Sequence, residues 1–185
     1  MPDAVAHPFV PCPAGRPWPL LLALLLPLLA CGASPGPPTE AQVKAAFILN
    51  FLKFVEWPAG TTPTNSPLTV LIPSHLPLGD ELEDLLDGHT ASDRRIQVRR
   101  GVEPLHRLPP CHVLLLVGAP ARAQTETPSA FADRPVLTIG DAPGFAEAGG
   151  IIGFTGVQQK LRFEVNLDAA QRALLRLRSQ LLNLA

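Results

Sequence analysis

GFAEAGGIIGF, residues 144–154, carries four glycines in eleven positions, close behind the apolar stretch PVLTIGD (135–141). The reading of this block decides the fold. A phosphate-cradling loop needs glycines that run into Lys-Ser/Thr and then into a helix whose N-terminal amides face the anion. Here they run into Ile-Ile-Gly-Phe, which is β-branched, aromatic and strand-forming, and no lysine follows Gly149 or Gly150. A dinucleotide-binding fingerprint fails for the same reason, since no helix opens after the glycines. The block reads as a tight turn that feeds a strand.

The flanking segments extend this reading. GIIGF and LRFEVNL (161–167) are strands close enough to pair as a hairpin around TGVQQK, and PVLTIGD is a strand before them. HVLLLVG (112–118) is apolar on both faces, as a central strand of a covered sheet requires. RIQVR (95–99) alternates apolar and charged residues and predicts a half-exposed strand, while LTVLI (68–72) is a short apolar strand between Pro67 and Pro73. LGDELEDLL (78–86) predicts a helix ending near Gly88, and AQTETPSAFA a short one. EAQVKAAFILNFLKFVEW, beginning at Glu40, predicts a helix capped by Thr39 and stopped by Pro58, with Val43, Phe47, Phe51 and Phe54 on one face. The terminal DAAQRALLRLRSQLLNLA predicts one more helix, capped by Asn166 or Asp168. Its stripe is Ala170, Leu174, Leu177 and Leu181, with Arg172 and Arg176 on the outer face. The expected fold class is α/β: a single compact domain with a mixed, mostly parallel sheet, a C-terminal hairpin and helices on both faces.

The 185 residues hold 15 basic and 16 acidic side chains, a net charge of −1, and 46% hydrophobic residues. The hydrophobic share is enough for a core without disulfide staples, and the near-neutral charge argues against a nucleic-acid surface or a polybasic membrane patch, both of which need clustered Lys and Arg. Residues 20–30 form an uninterrupted apolar run, too short for a bilayer that needs roughly 20 residues, followed at once by small residues. This is the pattern of an export signal over 1–31. LLAC (28–31) also looks like a lipobox, which would leave Cys31 acylated and the chain tethered; cleavage after Ala33 would leave it free. Residues 32–41, with SPGPPTEA, read as a spacer, and 42–185 as the folded domain. Cys111 is then the one thiol left in that domain, without an intramolecular partner.

The sequence offers no catalytic cluster. Cys111 and His112 are adjacent and point to opposite faces of a strand, so they make no nucleophile–base pair. The five histidines show no metal-ligand spacing, and DELEDLLD has the spacing of a solvated helix face. Neither cofactor nor metal is expected. A hydrolase with a dispersed site would need a free choice among Asp141, Glu147 and Glu164.

Four blocks in order, VKAAFILNFLKFVEWP (43–58), CHVLLLVG (111–118), PVLTIGDAPGFAEAGGIIGF (135–154) and LRFEVNLDAAQRALLRLRSQLLNLA (161–185), resemble the YfiR-like family of periplasmic proteins. The resemblance covers nearly all of 42–185. It implies a small exported α/β protein without catalytic activity that binds the periplasmic sensor region of a membrane diguanylate cyclase. Such proteins lower cyclic di-GMP and biofilm formation, can form homodimers, and are sequestered by an outer-membrane lipoprotein. In the family the cysteine of the Cys-His strand often pairs with one on the first strand; here LTVLIP stands there, so Cys111 lacks that partner. Nor does GFAEAGG carry the cysteine of a second bridge seen in some members.

A partner surface is expected at Trp57, a large aromatic beside Pro58 at the end of the first helix, and at Arg162, Glu164 and Asn166, which share one face of the RFEVN strand. The competing role for Glu164 and Asn166 is to cap or orient the last helix. A periplasmic small-ligand or peptide-binding accessory protein is the alternative, favoured by a pocket at the carboxyl ends of the strands near Gly118 and Asp141.

Overall fold

The computed structural model describes residues 37–60, 66–101, 109–157 and 160–183. Residues 1–31, where an export signal is expected, with Cys31, and residues 32–36 of the expected spacer lie outside them. Helix α1 (Glu40–Phe54) opens on a capping box. The Thr39 hydroxyl accepts from the Gln42 amide at 3.1 Å, and the Gln42 side chain accepts from the Thr39 amide at 3.0 Å. The helix stops earlier than Pro58 would require, because Val55–Glu56 is extended as strand β1. Its buried stripe is also rotated from the predicted one. Ala41, Lys44, Ala45, Ile48, Phe51 and Leu52 are buried, whereas Val43, Phe47 and Phe54 are half-buried.

Strand β2 (Leu68–Pro73), helix α2 (Gly79–Leu86), strands β3 (Thr90–Ala91), β4 (Arg94–Gly101) and β5 (Val113–Leu115), helix α3 (Ala121–Glu126), strand β6 (Leu137–Gly140) and the hairpin β7 (Ile152–Val157) and β8 (Lys160–Val165) follow. Seven strands form one sheet in the order β3-β4-β2-β5-β6-β7-β8. β4, β2, β5, β6 and β7 are parallel, and β3 and β8 are antiparallel edges. Strand register puts Val70, Val98, Val113, Ile139, Ile152, Phe154 and Phe163 on one face. There Phe51 of α1 packs on Phe154 and Phe163, with ring centroids 5.7 and 4.7 Å apart, and α2 lies beside α1. Gln124 of α3 and the Phe145 ring lie over Gly140 on the other face. The fold is the predicted α/β class, with a mostly parallel mixed sheet, a C-terminal hairpin and helices on both sides.

The glycine block is a turn that feeds β7, as its composition implies. Gly144 and Gly149 adopt left-handed φ of 73° and 99°. Gly150 does something different: a Cβ there would fall 2.1 Å from the Phe145 ring, so its missing side chain is the space the ring occupies.

The terminal helix is where the structure corrects the sequence. It is broken into α4 (Leu167–Arg172), strand β9 (Arg176–Leu177) and α5 (Ser179–Leu182). Asn166 caps α4 as expected, its Oδ1 accepting from the Ala169 amide at 2.9 Å. Leu174 then takes φ +57°. The Leu175 amide donates to Ala170 O and the Leu174 amide to Gln171 O, both at 2.9 Å, which closes a Schellman motif with leucine in the place glycine usually takes. The break frees β9 to pair antiparallel with β1, Val55 opposite Leu177 and Glu56 opposite Arg176. Arg176 therefore sits in a strand and not on the face of a helix.

Candidate functional site

Beyond the β1–β9 ribbon the two chain segments diverge, and the space between them is an open groove of about 620 Å³. Its apolar lining comes from Trp57, Pro58, Ala59, Leu174 and Leu175, and its polar lining from Glu56, Gln171 and Arg176. Leu174 is 65% exposed. A left-handed, non-glycine residue costs about 1–2 kcal/mol, and this one also holds an apolar side chain in water. Two unfavourable features at one residue mark a binding surface more strongly than either alone.

Trp57 is held from behind. Its indole N–H donates to His112 O at 3.3 Å, and its ring meets the His112 imidazole edge-on, centroids 6.1 Å apart. The imidazole is itself fixed. Its Nδ1 accepts from the Thr69 amide at 3.0 Å, and Nε2 stands 2.9 Å from an Arg94 guanidinium nitrogen. Arg94 is anchored on Ser66 O and Pro67 O at 2.9 and 3.1 Å. Burial and the Arg94 charge push the His112 pKa down to about 4, so the ring is neutral throughout the physiological range. It is a rigid support for Trp57.

The groove is cationic at its margin. Glu56 is engaged by Arg178 at 2.7 Å, whereas Arg176, which lines the groove, is exposed and carries no ion pair among the described residues. An aromatic, an exposed leucine and a guanidinium group around a concave apolar surface are the side chains that anchor protein partners.

The other predicted residues fall elsewhere. Arg162 and Glu164 lie on β8 and do not line the groove; Arg162 is exposed, and the Glu164 side chain folds over Gly153. Asn166 caps α4, and its amide donates to Ala146 O at 2.6 Å, a structural pairing of helix and turn. Gln171, Leu174, Leu175 and Arg176 were hidden by the unbroken helical pattern of ALLRLR, with no glycine to signal the break.

At the carboxyl ends of β5 and β6, Asp141 is fully engaged within the chain. Its Oδ2 pairs with Lys44 at 2.8 Å, and its Oδ1 accepts from the Gly118 amide at 2.9 Å and from Gln124 at 2.8 Å. In return the Gln124 Oε1 accepts from the Asp141 and Ala142 amides. Burial alone would raise the carboxyl pKa, but Lys44, Gly118 and Gln124 together hold it below the ordinary range. Such a cluster ties helices to the sheet, with three hydrogen bonds converging on one carboxylate.

Cys111 is a free, half-buried thiol, and burial pushes its pKa up to about 11, so it is protonated at neutral pH and a poor nucleophile. Among the described residues no group of three or more His, Cys, Asp or Glu side chains is arranged to hold a metal ion, and no helix is long and apolar enough to cross a membrane.

Compared with known families, the sequence matches the family model described as YfiR/HmsC-like over residues 41–185. No curated protein matches the chain.

Proposed function

We propose that this chain, which belongs to the YfiR/HmsC-like family, is an exported, non-catalytic regulator that binds the periplasmic sensor region of a membrane diguanylate cyclase and represses cyclic di-GMP synthesis. Family membership supports the regulatory role. The observation that carries the binding mode is the groove of Trp57 and Leu174, in which a strained, exposed leucine faces an aromatic held rigid by His112 and Arg94. A rigid anchor loses little entropy on binding, so its contact area translates efficiently into affinity. The exposed Arg176 favours a partner segment with a carboxylate beside its apolar anchor. Release would follow from capture of the same surface by an outer-membrane lipoprotein.

The test is repression in cells together with affinity for the cyclase sensor region. Trp57→Ala and Leu174→Asp are expected each to weaken binding about 30-fold or more, as loss of a central anchor does, and to restore cyclic di-GMP. Equal repression by correctly folded variants would remove the groove from the mechanism. Affinity capture from cross-linked envelopes that retained no membrane signalling protein would remove the regulatory reading.

The second reading, a small-ligand or peptide-binding accessory protein, draws on the same groove, whose volume lies within the range of small-molecule sites. A thermal shift with a metabolite, abolished by Trp57→Ala, is the outcome that would favour it.

A further inference from the structure

His112 joins three strands through its backbone and holds a fourth segment through its ring. Its amide donates to Thr69 O at 2.9 Å. Its carbonyl accepts from the Leu137 amide at 2.9 Å and from the Trp57 indole at 3.3 Å. The residue is only 8% exposed, and its ring is the acceptor for the Thr69 amide of β2. A backbone amide can only donate, so the ring's lone pair sits on Nδ1 and its proton on Nε2. That proton faces an Arg94 guanidinium nitrogen 2.9 Å away, which also can only donate. The neutral ring thus has one lone pair between two donors, and both donors are fixed. Thr69 is held by its place in β2, and Arg94 by Ser66 O and Pro67 O at 2.9 and 3.1 Å.

A second proton finds no partner here. It would enter at Nδ1, against the Thr69 N–H, and its charge would stand in a buried site beside the Arg94 cation. Among the described residues Arg94 is the one charged side chain that acts on the ring. The Arg134 charge acts on the neighbouring Cys111 thiol, and Glu56, next to Trp57, is taken by Arg178. No carboxylate among the described residues offsets the added charge. Burial first, and then Arg94, therefore hold the proton affinity of the ring down, to a pKa of about 4. What the ring supports depends on its staying in place. Trp57 rests edge-on against the imidazole, centroids 6.1 Å apart, and forms one wall of the groove.

We propose that His112 is an acid-operated latch on the groove: a ring carrying both protons is expelled from between Thr69 and Arg94, and Trp57 is released with it. The neutral ring holds the groove wall in full above the unfolded histidine value of 6.5, and that support is lost as pH falls through the folded value. The bistable element is the Trp57 side chain, packed on the ring or free of it. The consequence for regulation, relief of repression in acid, rests on the reading of the groove as the partner surface.

The test is acrylamide quenching of Trp57 fluorescence, from neutral pH to below the folded value, in the full chain carrying Trp18→Phe so that one tryptophan remains. Far-ultraviolet circular dichroism is recorded beside it. Quenching is expected to rise with a midpoint between 6.5 and about 4 while the backbone signal holds. Arg94→Gln removes the like charge and should move that midpoint up by about one unit, a tenfold gain in proton affinity. His112→Asn keeps an acceptor for the Thr69 amide but has no proton to gain, so its quenching should not change with pH. Where His112→Asn does not fold, the Arg94→Gln shift decides. A parent chain with flat quenching, a midpoint unmoved by Arg94→Gln, or a transition that persists in His112→Asn would each overturn the latch. Loss of the backbone signal at the same midpoint would overturn it too, since that is unfolding of the whole chain. Affinity for the sensor region separates the two readings. A pH-dependent Trp57 with affinity indifferent to Trp57→Ala would uphold the latch and remove the groove from regulation.

Discussion

Leu174 carries the sharpest conflict between local and global preference in the chain. Glycine at that position would satisfy the Schellman motif at no steric cost, and leucine does not. Leu174→Gly should therefore raise unfolding stability by about 0.5–1 kcal/mol in urea titration, while weakening capture of the partner. A variant that loses both stability and binding would show that Leu174 serves packing. Asp141 and Lys44 make the opposite kind of pair, fully paired and mostly buried. Burial works against the Lys44 charge, but the hydrogen bonds it donates to Asp141 and Glu40 overcome it and raise the Lys44 pKa above 10.5, whereas the Asp141 pKa is lowered. The signs differ accordingly. The Asp141 contribution is present above its unfolded pKa, near 3.8, and is lost as pH falls through the lower folded value. The Lys44 contribution is present below 10.5 and is lost as pH rises through the raised folded value. Asp141→Asn, which leaves Lys44 with Glu40 as its remaining carboxylate, should cost about 1–3 kcal/mol at pH 7 and flatten the acid side of the stability profile.

At the scale of elements, the turn into β7 is built around one ring. Phe145 is fully buried, and a Cβ on Gly140 or Gly150 would meet it at 2.6 or 2.1 Å. Gly150 has an ordinary φ, so alanine would fit its backbone and fail only by collision. Gly150→Ala should destabilise by about 1–3 kcal/mol through overpacking, and Phe145→Leu in the same chain should return part of the loss. No recovery would mean that the backbone, and not the ring, sets the requirement. The β3–β4 turn shows a related compromise. Ser92 and Asp93 both take left-handed φ, 50° and 60°, and in exchange the Ser92 hydroxyl caps the end of α1 by donating to Leu52 O at 3.1 Å.

Across the whole molecule, the groove exists because distant segments meet. Glu56 and Arg178 are 122 positions apart, yet their side chains pair at 2.7 Å beside the β1–β9 ribbon. Trp57 is fixed by His112, and His112 by Thr69 and Arg94, so one side of the groove is set by four separate stretches of chain. Substitution of His112 should loosen Trp57 without touching a partner directly. A slower approach to saturation, with little change in the groove's composition, is the binding signature expected of lost preorganisation.

Much of this architecture was legible because its causes are local. Alternating or continuous apolar runs gave the strands, Thr39 and Asn166 announced their helices through caps, and the residues after the glycine block identified it as a turn. A candidate anchor was visible in Trp57 as a large aromatic beside a proline. The end of α1, the three-way break of the terminal segment and the groove itself were decided by tertiary structure. DAAQRALLRLRSQLLNLA has helical periodicity throughout, and nothing within it marks a stop. What ends α4 is the pairing of β9 with β1 and the burial of Ala173 and Leu175, at 2% and 4% exposure, against elements far away in sequence. Backbone hydrogen bonds gained across that distance, together with apolar burial, outweigh the local cost of a left-handed leucine. A preference of that origin cannot be read from the residues that yield to it.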